Sequence, residues 1–301
     1  MRMDQLEYLI NIHETASFSL AAERCHVTQP SISQAINSLE AELGVKIFKR
    51  TRQGALPTTE GKIVVKKALE MLSLYNQLRE EINIRMTSIT GQLKLACVPA
   101  ICSTILSKTI INYKKKFPLV EVDIIEKGTH EIIHDIQNGY VDVGVVAIQD
   151  KKWHNPNLKT ENLLTSKIKV CVGKNFPLQN KTELLPKEIV KYPIVMFKSG
   201  YVMTTFIHNL LSEHGDVKVL FTLDNTEVAK KVIAEGIGIG FLNSLSLIND
   251  PYISNGSISA LDIKDSDSST SYYAIQSKNK FSSQAVDEFI KELKVQAQIF
   301  Q

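Results

Sequence analysis

The sequence predicts an α/β fold in which a small helical unit at the N-terminus leads through one long helix into two strand–helix lobes. Three observations predict it. A capped amphipathic helix and a basic hairpin follow one another within the first sixty residues, a proline-free stretch then carries a coiled-coil-like apolar stripe, and two successive runs alternate strands with helices. A chain of 301 residues has room for two or three domains, and 44% apolar with 22% charged residues is the composition of a globular protein.

Leu6, Leu9, Ile10 and His13 fall at helical spacing. Ser17 then caps a short helix, FSLAAERC, whose Leu20, Ala21 and Ala22 suit close packing. Thr28 caps the next helix, with Pro30 in its first turn, where a missing N–H costs nothing. In PSISQAINSLEAELG the apolar residues Ile32, Ala35, Ile36, Leu39 and Leu43 form one face, and Gly44 supplies the left-handed stop. The opposite face carries Gln29, Ser33, Gln34 and Asn37, short uncharged groups that both donate and accept hydrogen bonds. A helix exposed for solubility alone normally carries Lys and Glu there, whereas Gln and Asn suit base edges in a major groove. A merely solvated polar face is the alternative at this point.

The following VKIFKRTRQGALPTTEG reads as a β-hairpin about a Thr-Arg-Gln-Gly turn, with Lys46, Lys49, Arg50 and Arg52 clustered on it. Helix, capped recognition helix and basic wing arrive in the order of a winged helix-turn-helix. Global charge does not carry this reading. The net charge is +3, and the first sixty residues hold Arg2, Arg24, Lys46, Lys49, Arg50 and Arg52 against Asp4, Glu7, Glu14, Glu23, Glu40, Glu42 and Glu60. Local placement matters because phosphate attraction is screened beyond a Debye length.

The stretches ASFSLAAE, VTQPSISQAI, LEAELGVKIFKR and LPTTEG, in this order, resemble the winged helix-turn-helix of LysR-type transcriptional regulators. The resemblance implies that Gln29, Pro30, Ser33 and Gln34 approach bases, that Thr28 and Ser31 anchor the backbone, and that Arg50 and Arg52 serve the wing. Gln34 stands where the family commonly has Arg.

From Thr59 to about Met86 no proline occurs, and Gly61, Val65, Ala68, Leu72, Tyr75, Ile82 and Met86 recur at spacings of 3 and 4, with Arg79 interrupting. Val64, Met71 and Leu78 form a second line beside it. So broad a stripe between two domains calls for a second copy of the chain, and the resemblance implies dimerisation through this helix.

Beyond Gly91, QLKLACV, a helix from about Ser103 to Lys116, VEVDIIE, a helix from about Thr129 to Gln137 and VDVGVVA give a βαβαβ pattern. IKVCVG, YPIVMF, a helix near Phe206 to Ser212, VKVLFTL, a helix from Val228 to Glu235 and GIGIGFL repeat it, and SQAVDEFIKELKVQAQIF ends the chain as a helix on the first lobe. The segments GQLKLACV, KKFPLVEVDIIEKG, IQNGYVDVGVV and VAKKVIAEGIGIGFL resemble the two-lobed, periplasmic-binding-protein-like effector domain of the same regulators. The expected organisation is a winged helix-turn-helix DNA-binding domain at 1–58, a linker helix at 59–90 and an effector-binding domain at 91–301. Within the last, lobe I takes about 91–162 and 268–301, and lobe II about 163–267.

Ligands of open α/β sheets bind beyond the carboxyl ends of the strands. Those points are Pro99, Ala100, Ile101, Cys102, Ser103, Thr104, Gly128, Thr129 and Ala147 in the first lobe. In the second they are Ser199, Gly200, Tyr201, Asn225, Thr226 and Asn243, the last where many relatives have proline. Lys127 and Lys198 beside them favour a small anionic effector, against the alternative that both point to solvent.

Three patterns compete with this reading. His130, Glu131 and His134 spell the HExxH of a zinc hydrolase, but Ile132, Ile133 and Ile136 fit an ordinary amphipathic helix on a sheet and no third-ligand motif follows. GIGIG at Gly236 to Gly240 lies before and within a strand, so close packing of helix on strand explains it better than nucleotide binding. Cys97 and Cys102 form a redox pair if the turn between them brings their Cα atoms within about 6 Å; buried thiols are the plainer reading.

The N-terminus lacks the apolar core of a signal peptide and no apolar run reaches membrane length, so a cytoplasmic location is expected. The combined expectation is a ligand-responsive regulator without catalytic activity, cofactor or metal. It binds double-stranded promoter DNA and a small-molecule effector and works as a homodimer or homotetramer, with RNA polymerase as a further partner left open. The competing class is a metallohydrolase.

Overall fold

The computed structural model describes residues 1–51, 54–83, 89–150, 153–198, 200–278, 280 and 282–300. The chain divides into two compact units, one built on Met1–Ile89 and the other on most of the chain from Thr90 onward.

In the first unit, α1 (Met3–Thr15), α2 (Phe18–Arg24) and α3 (Gln29–Leu43) are followed by the antiparallel hairpin β1 (Phe48–Thr51) and β2 (Gly54–Pro57), then by α4 (Thr59–Asn83). The caps fall where the sequence puts them. Ser17 accepts from the Leu20 amide, Thr28 from the Ser31 amide, and Gly44 ends α3 at φ 70°. Leu6, Leu9, Ile32, Ile36 and Leu39 make the core, and the buried Gln5 ties α1 to α3 by donating to the Ala35 carbonyl at 3.0 Å. Leu43 is not core: it lies in the last turn of α3, beyond the packed layer, and is 41% exposed.

The stripe on α4 is divided. Val65 and Ala68 are buried in the helical core, with Val64, Leu69 and Leu72 packed against it. Gly61 permits the approach, since a Cβ there would lie 2.0 Å from the Ile47 carbonyl oxygen. The first half of the stripe is therefore satisfied within the chain, which corrects the expectation that only a second copy explains it. Met71, Leu74, Tyr75 and Leu78 remain exposed. Met86 lies outside the described residues, as do the side chains of Arg79 and Ile82.

The second unit runs β3 (Gly91–Cys97), α5 (Pro99–Cys102), α6 (Ile105–Lys116), β4 (Val120–Glu126), α7 (Thr129–Asn138), β5 (Val143–Ile148) and β6 (Leu158–Gly173). It continues with β7 (Glu183–Leu184), α8 (Pro186–Ile189), β8 (Ile194–Phe197), α9 (Val202–Ser212), β9 (Val219–Leu223), α10 (Thr226–Ala234) and β10 (Ile239–Asn243). A 3₁₀ turn (Ser244–Leu247), α11 (Pro251–Ser254), β11 (Ile258–Ile263), β12 (Ser269–Ser277) and α12 (Gln284–Gln298) complete it.

The strands order β4-β3-β5-β12-β6-β10-β8-β9, with β11 on the other side of β6. β3, β4 and β5 are parallel, as are β8, β9 and β10, whereas β6 and β12 run against their neighbours. β6 belongs to both lobes: residues 158–167 pair with β12, and residues 168–173 pair with β10 and β11. The chain passes from the first lobe to the second within β6, between residues 167 and 168, and returns between β11 and β12. α12 packs on α6, where the Tyr113 hydroxyl donates to the Ala285 carbonyl at 2.9 Å and its ring meets Phe289 edge-on.

In GIGIG, Gly236 makes a left-handed turn at φ 72°, and Gly238 and Gly240 serve packing. A Cβ on Gly240 would lie 2.2 Å from the Ile233 side chain, so α10 presses directly on β10.

Candidate nucleic-acid interface and effector cleft

On α3 the apolar face is spent on the core, while Ser31, Gln34, Asn37 and Pro30 are exposed and Gln29 and Ser33 half-buried. Gln29 Nε2 donates to Ser33 Oγ at 3.1 Å, and Thr28 Oγ1 shares a 2.8 Å hydrogen bond with Ser31 Oγ. The first turn thus presents a row of hydroxyl and amide groups held in order by one another, the kind of surface that matches base edges.

The wing is anchored by a group that the sequence pattern missed. Glu40, on the inner side of α3, is 6% exposed and accepts from the Ile47 amide at 2.8 Å, the Phe48 amide at 3.3 Å and Lys46 Nζ at 2.6 Å. Burial alone would raise its carboxyl, but the bonds from Lys46, Ile47 and Phe48 and the Lys46 charge together hold it below its usual range. Lys46 is therefore engaged with Glu40 and does not join the basic cluster as expected, because its neighbour in space is a buried carboxylate. Gly54, at φ 109°, lets the Ala55 amide reach the Ala16 carbonyl at 2.7 Å, which seats the hairpin on the α1–α2 turn. Lys49 is exposed on β1. Arg50 is placed by its backbone in β1, with its side chain outside the described residues, as is Arg52 altogether.

The effector side brings the strand ends of both lobes together. A Cβ on Gly128 would lie 3.1 Å from the Gly200 carbonyl oxygen, and α5 packs against the 3₁₀ turn of the other lobe. Tyr201 stacks edge-on to Phe197; burial pushes its phenol up, and the charges of Glu126, Asp224 and Glu131 add to this. Lys127 pairs with Asp135 at 2.6 Å and Lys198 with Asp224 at 2.6 Å. Neither points unpaired into the cleft, so the argument for an anionic effector loses its support: each cation has its own carboxylate on a neighbouring element.

Several expected site groups serve the framework. Thr129 is buried, and its hydroxyl donates to the Ala147 carbonyl at 3.1 Å and accepts from the Ala147 amide at 3.2 Å. Asn225 caps α10, with Thr226 its first residue. Asn243 accepts from the Leu245 amide at 3.1 Å and from Ser166 Oγ, binding the end of β10 to the crossing strand β6. Ser103 and Thr104 turn their hydroxyls back onto the Ala100 carbonyl. Pro99 and Ala100 are half-buried, Ile101 is fully buried and Cys102 half-buried. Ser199 lies outside the described residues.

The residues of the HExxH pattern serve the N-terminus and outer face of α7. Glu131 accepts from the Gly128 amide at 3.2 Å, capping α7, and His130 and His134 are exposed. Among the described residues no group of three His, Cys, Asp or Glu side chains is arranged to hold a metal ion. No described helix is long and apolar enough to cross a membrane.

A winged helical head joined to a two-lobed α/β unit whose strand ends meet between the lobes is the architecture of a transcriptional regulator that reads DNA with one part and senses a small molecule with the other. Residues 3–62 match the bacterial regulatory helix-turn-helix protein model of the lysR family, and residues 87–298 match the LysR substrate binding domain. The chain belongs to the LysR family. A hydrogen peroxide-inducible genes activator from Pectobacterium carotovorum subsp. carotovorum is 25% identical over 248 residues, covering 82% of this chain and 81% of that protein. The DNA-binding transcriptional dual regulator OxyR of Escherichia coli K12 is 26% identical over 250 residues, 82% of this chain and 80% of that one. Among solved structures, a full-length OxyR variant from Pseudomonas aeruginosa superposes with a TM-score of 0.78 at 20% identity, covering 99% of this chain and 95% of that chain. Full-length CbnR complexed with its target DNA gives 0.65 at 18% identity, covering 98% and 100%. These relatives are regulators, not enzymes.

Proposed function

We propose that Thr28, Gln29, Pro30, Ser31, Ser33, Gln34 and Asn37 meet double-stranded promoter DNA, with base edges read by Gln29, Ser33, Gln34 and Asn37 and the wing residues Lys49, Arg50 and Arg52 on phosphate or in the minor groove. The observation that carries this reading is the ordered polar row on the first turns of α3, whose Ile32, Ile36 and Leu39 are spent on the core. Gln34, lacking the charge of an arginine, favours adenine over guanine at its contact. The chain pairs with a second copy along Met71, Leu74, Tyr75 and Leu78, the exposed part of the α4 stripe, and the two recognition helices then face successive major grooves.

A small-molecule effector occupies the cleft bounded by Pro99 to Cys102, Gly128, Gly200 and Tyr201, and biases the two lobes by binding one arrangement more tightly than the other. With Lys127 and Lys198 neutralised by Asp135 and Asp224, backbone groups and the Tyr201 hydroxyl supply its polar contacts.

The test is fluorescence anisotropy with DNA fragments that the protein itself retains, at fixed salt, against random duplex. Gln29→Ala and Ser33→Ala are expected to lower the specificity ratio about tenfold, since a good base contact contributes about 1–3 kcal/mol. Lys49→Ala weakens both duplexes alike and reduces the salt slope by about one. An unchanged specificity ratio in both α3 variants refutes the assigned recognition face.

A further inference from the structure

Four cysteines are spread along the chain, and they occupy three different environments. Cys171 is fully buried in the second lobe, where burial pushes its thiol up to about 12. Cys25 stands alone in the head, its thiol raised by burial and by Glu7. Cys97 and Cys102 are different. Cys97 ends β3 and is fully buried, Cys102 ends the single turn of α5 and is half-buried, and their Sγ atoms lie 2.6 Å apart. The two sulfurs are in direct contact as free thiols, and a disulfide of about 2.05 Å needs only a short further approach. Cys102 Sγ also lies 3.6 Å from the Cys97 carbonyl oxygen, and the Glu126 carboxylate, paired in register with Cys97 on the neighbouring strand, accepts from the Cys102 thiol.

We propose that Cys97 and Cys102 are a modification site: a dithiol that small hydroperoxides oxidise to an intramolecular disulfide, with Cys102 the attacking and Cys97 the resolving residue. The accessible sulfur reacts first. Glu126 takes the Cys102 proton as the sulfur attacks the outer peroxide oxygen; the O–O bond breaks, the proton passes to the leaving oxygen, and Cys102 becomes a sulfenic acid while the hydroperoxide is reduced to an alcohol or water. The Cys97 sulfur then attacks the Cys102 sulfur, the S–O bond breaks, and the hydroxyl leaves with the Cys97 proton as water. Two electrons leave the dithiol and two enter the peroxide.

The environment assigns the roles. The hydrogen bond shared with Cys102, followed by burial, pushes the Cys97 thiol up, and Cys97 is the fully buried sulfur of the pair, so the half-buried Cys102 is the one a peroxide reaches. Burial raises the Glu126 carboxyl as well, against the bond from Cys102, which suits a group that must accept a proton and release it. Because α5 packs on the 3₁₀ turn of the second lobe, closing the disulfide draws the cleft wall toward β3.

Both cysteines fall in one tryptic peptide, 95–108, between Lys94 and Lys108. The reduced full-length protein, freed of reductant, is treated with hydrogen peroxide and its peptides are weighed without reduction. The expected result is that this peptide becomes lighter by the two hydrogen atoms lost, and that the thiols titrated after unfolding in denaturant fall from four to two. Cys97→Ser should accumulate a dimedone adduct on Cys102, Cys102→Ser should give neither adduct nor disulfide in this peptide, and Glu126→Gln should slow the first step at least fivefold. A peptide that keeps both thiols under excess peroxide overturns the proposal, as does over-oxidation of Cys102 without a disulfide in the unmodified chain. A change in DNA affinity on oxidation depends additionally on the effector-cleft reading; the peptide mass does not, so the two fail separately.

Discussion

Replacing Glu40 by alanine should unfasten the wing from the recognition helix. The substitution removes the acceptor for the Ile47 and Phe48 amides, two backbone donors on the buried side of the hairpin root. Leaving a buried donor unsatisfied costs about 1–3 kcal/mol. The Lys46 bond adds little, since that side chain is 75% exposed and such pairs contribute about 0–1 kcal/mol. The sum is about 3 kcal/mol, equivalent to a roughly 100-fold change in a local opening equilibrium at 1.36 kcal/mol per decade. Hydrogen–deuterium exchange of peptides covering residues 44–58 reads it directly, as exchange roughly 100-fold faster in Glu40→Ala than in the parent. Glu40→Gln keeps an oxygen where Oε1 accepts from both amides and loses the charge and the oxygen that Lys46 meets, so it should lose about 1 kcal/mol, a roughly fivefold effect. Equal protection in the parent and Glu40→Ala would refute the reasoning, and equal losses in the two variants would show that charge, not the acceptor position, holds the hairpin.

Acid should loosen both units. Glu40, and Glu292 with its bonds from Lys116, Asn112 and Gln296, are held below their usual range despite burial, so the stability they add is complete above the unfolded carboxyl value of about 4.3 and is lost as pH falls through their folded values; exchange measured over that window should show protection falling at residues 44–58 and along α12. Gly128→Val should prop the lobes apart, because even a Cβ there meets the Gly200 carbonyl oxygen at 3.1 Å; ligand-free DNA affinity should stay within about twofold while the effector response, read by anisotropy with and without the effector, disappears. Replacing both Leu74 and Leu78, each 55% exposed, by glutamate should abolish self-association in sedimentation velocity while leaving the circular dichroism of the chain intact. An unchanged sedimentation coefficient moves the interface elsewhere.

Local signals in the sequence survive into the structure best. Ser17, Thr28 and Gly44 cap their helices as their side chains and backbone freedom dictate, because a cap involves groups only a few residues apart. The strand–helix alternation is legible for the same reason. Glu40 was not, since its partners lie six to eight residues away around a turn and its identity as a charge suggests solvent. Lys127 and Lys198 look like cleft cations in the sequence because Asp135 and Asp224, their partners, lie on the next helix and the next strand end. Periodicity also gave Leu43 and the whole α4 stripe one role each, although a helix can outrun its core or divide its face between two neighbours. Thr129 sits at a strand-end position that ligands favour, but its hydroxyl is spent on Ala147, a fact that depends on which strand lies alongside.

The shared strand β6 has a consequence for the birth of the chain. The first lobe's sheet needs β12, residues 269–277, between β5 and β6, so during synthesis the edge of β5 stays open until those residues, more than a hundred positions later, have left the ribosome. An unpaired, apolar strand edge held open for that long is an invitation to wrong pairing. The two lobes therefore cannot be separated by a cut in the middle: a fragment ending before residue 269 leaves the β5 edge of the first sheet without its partner, and one beginning after 173 removes the strand on which the second is built.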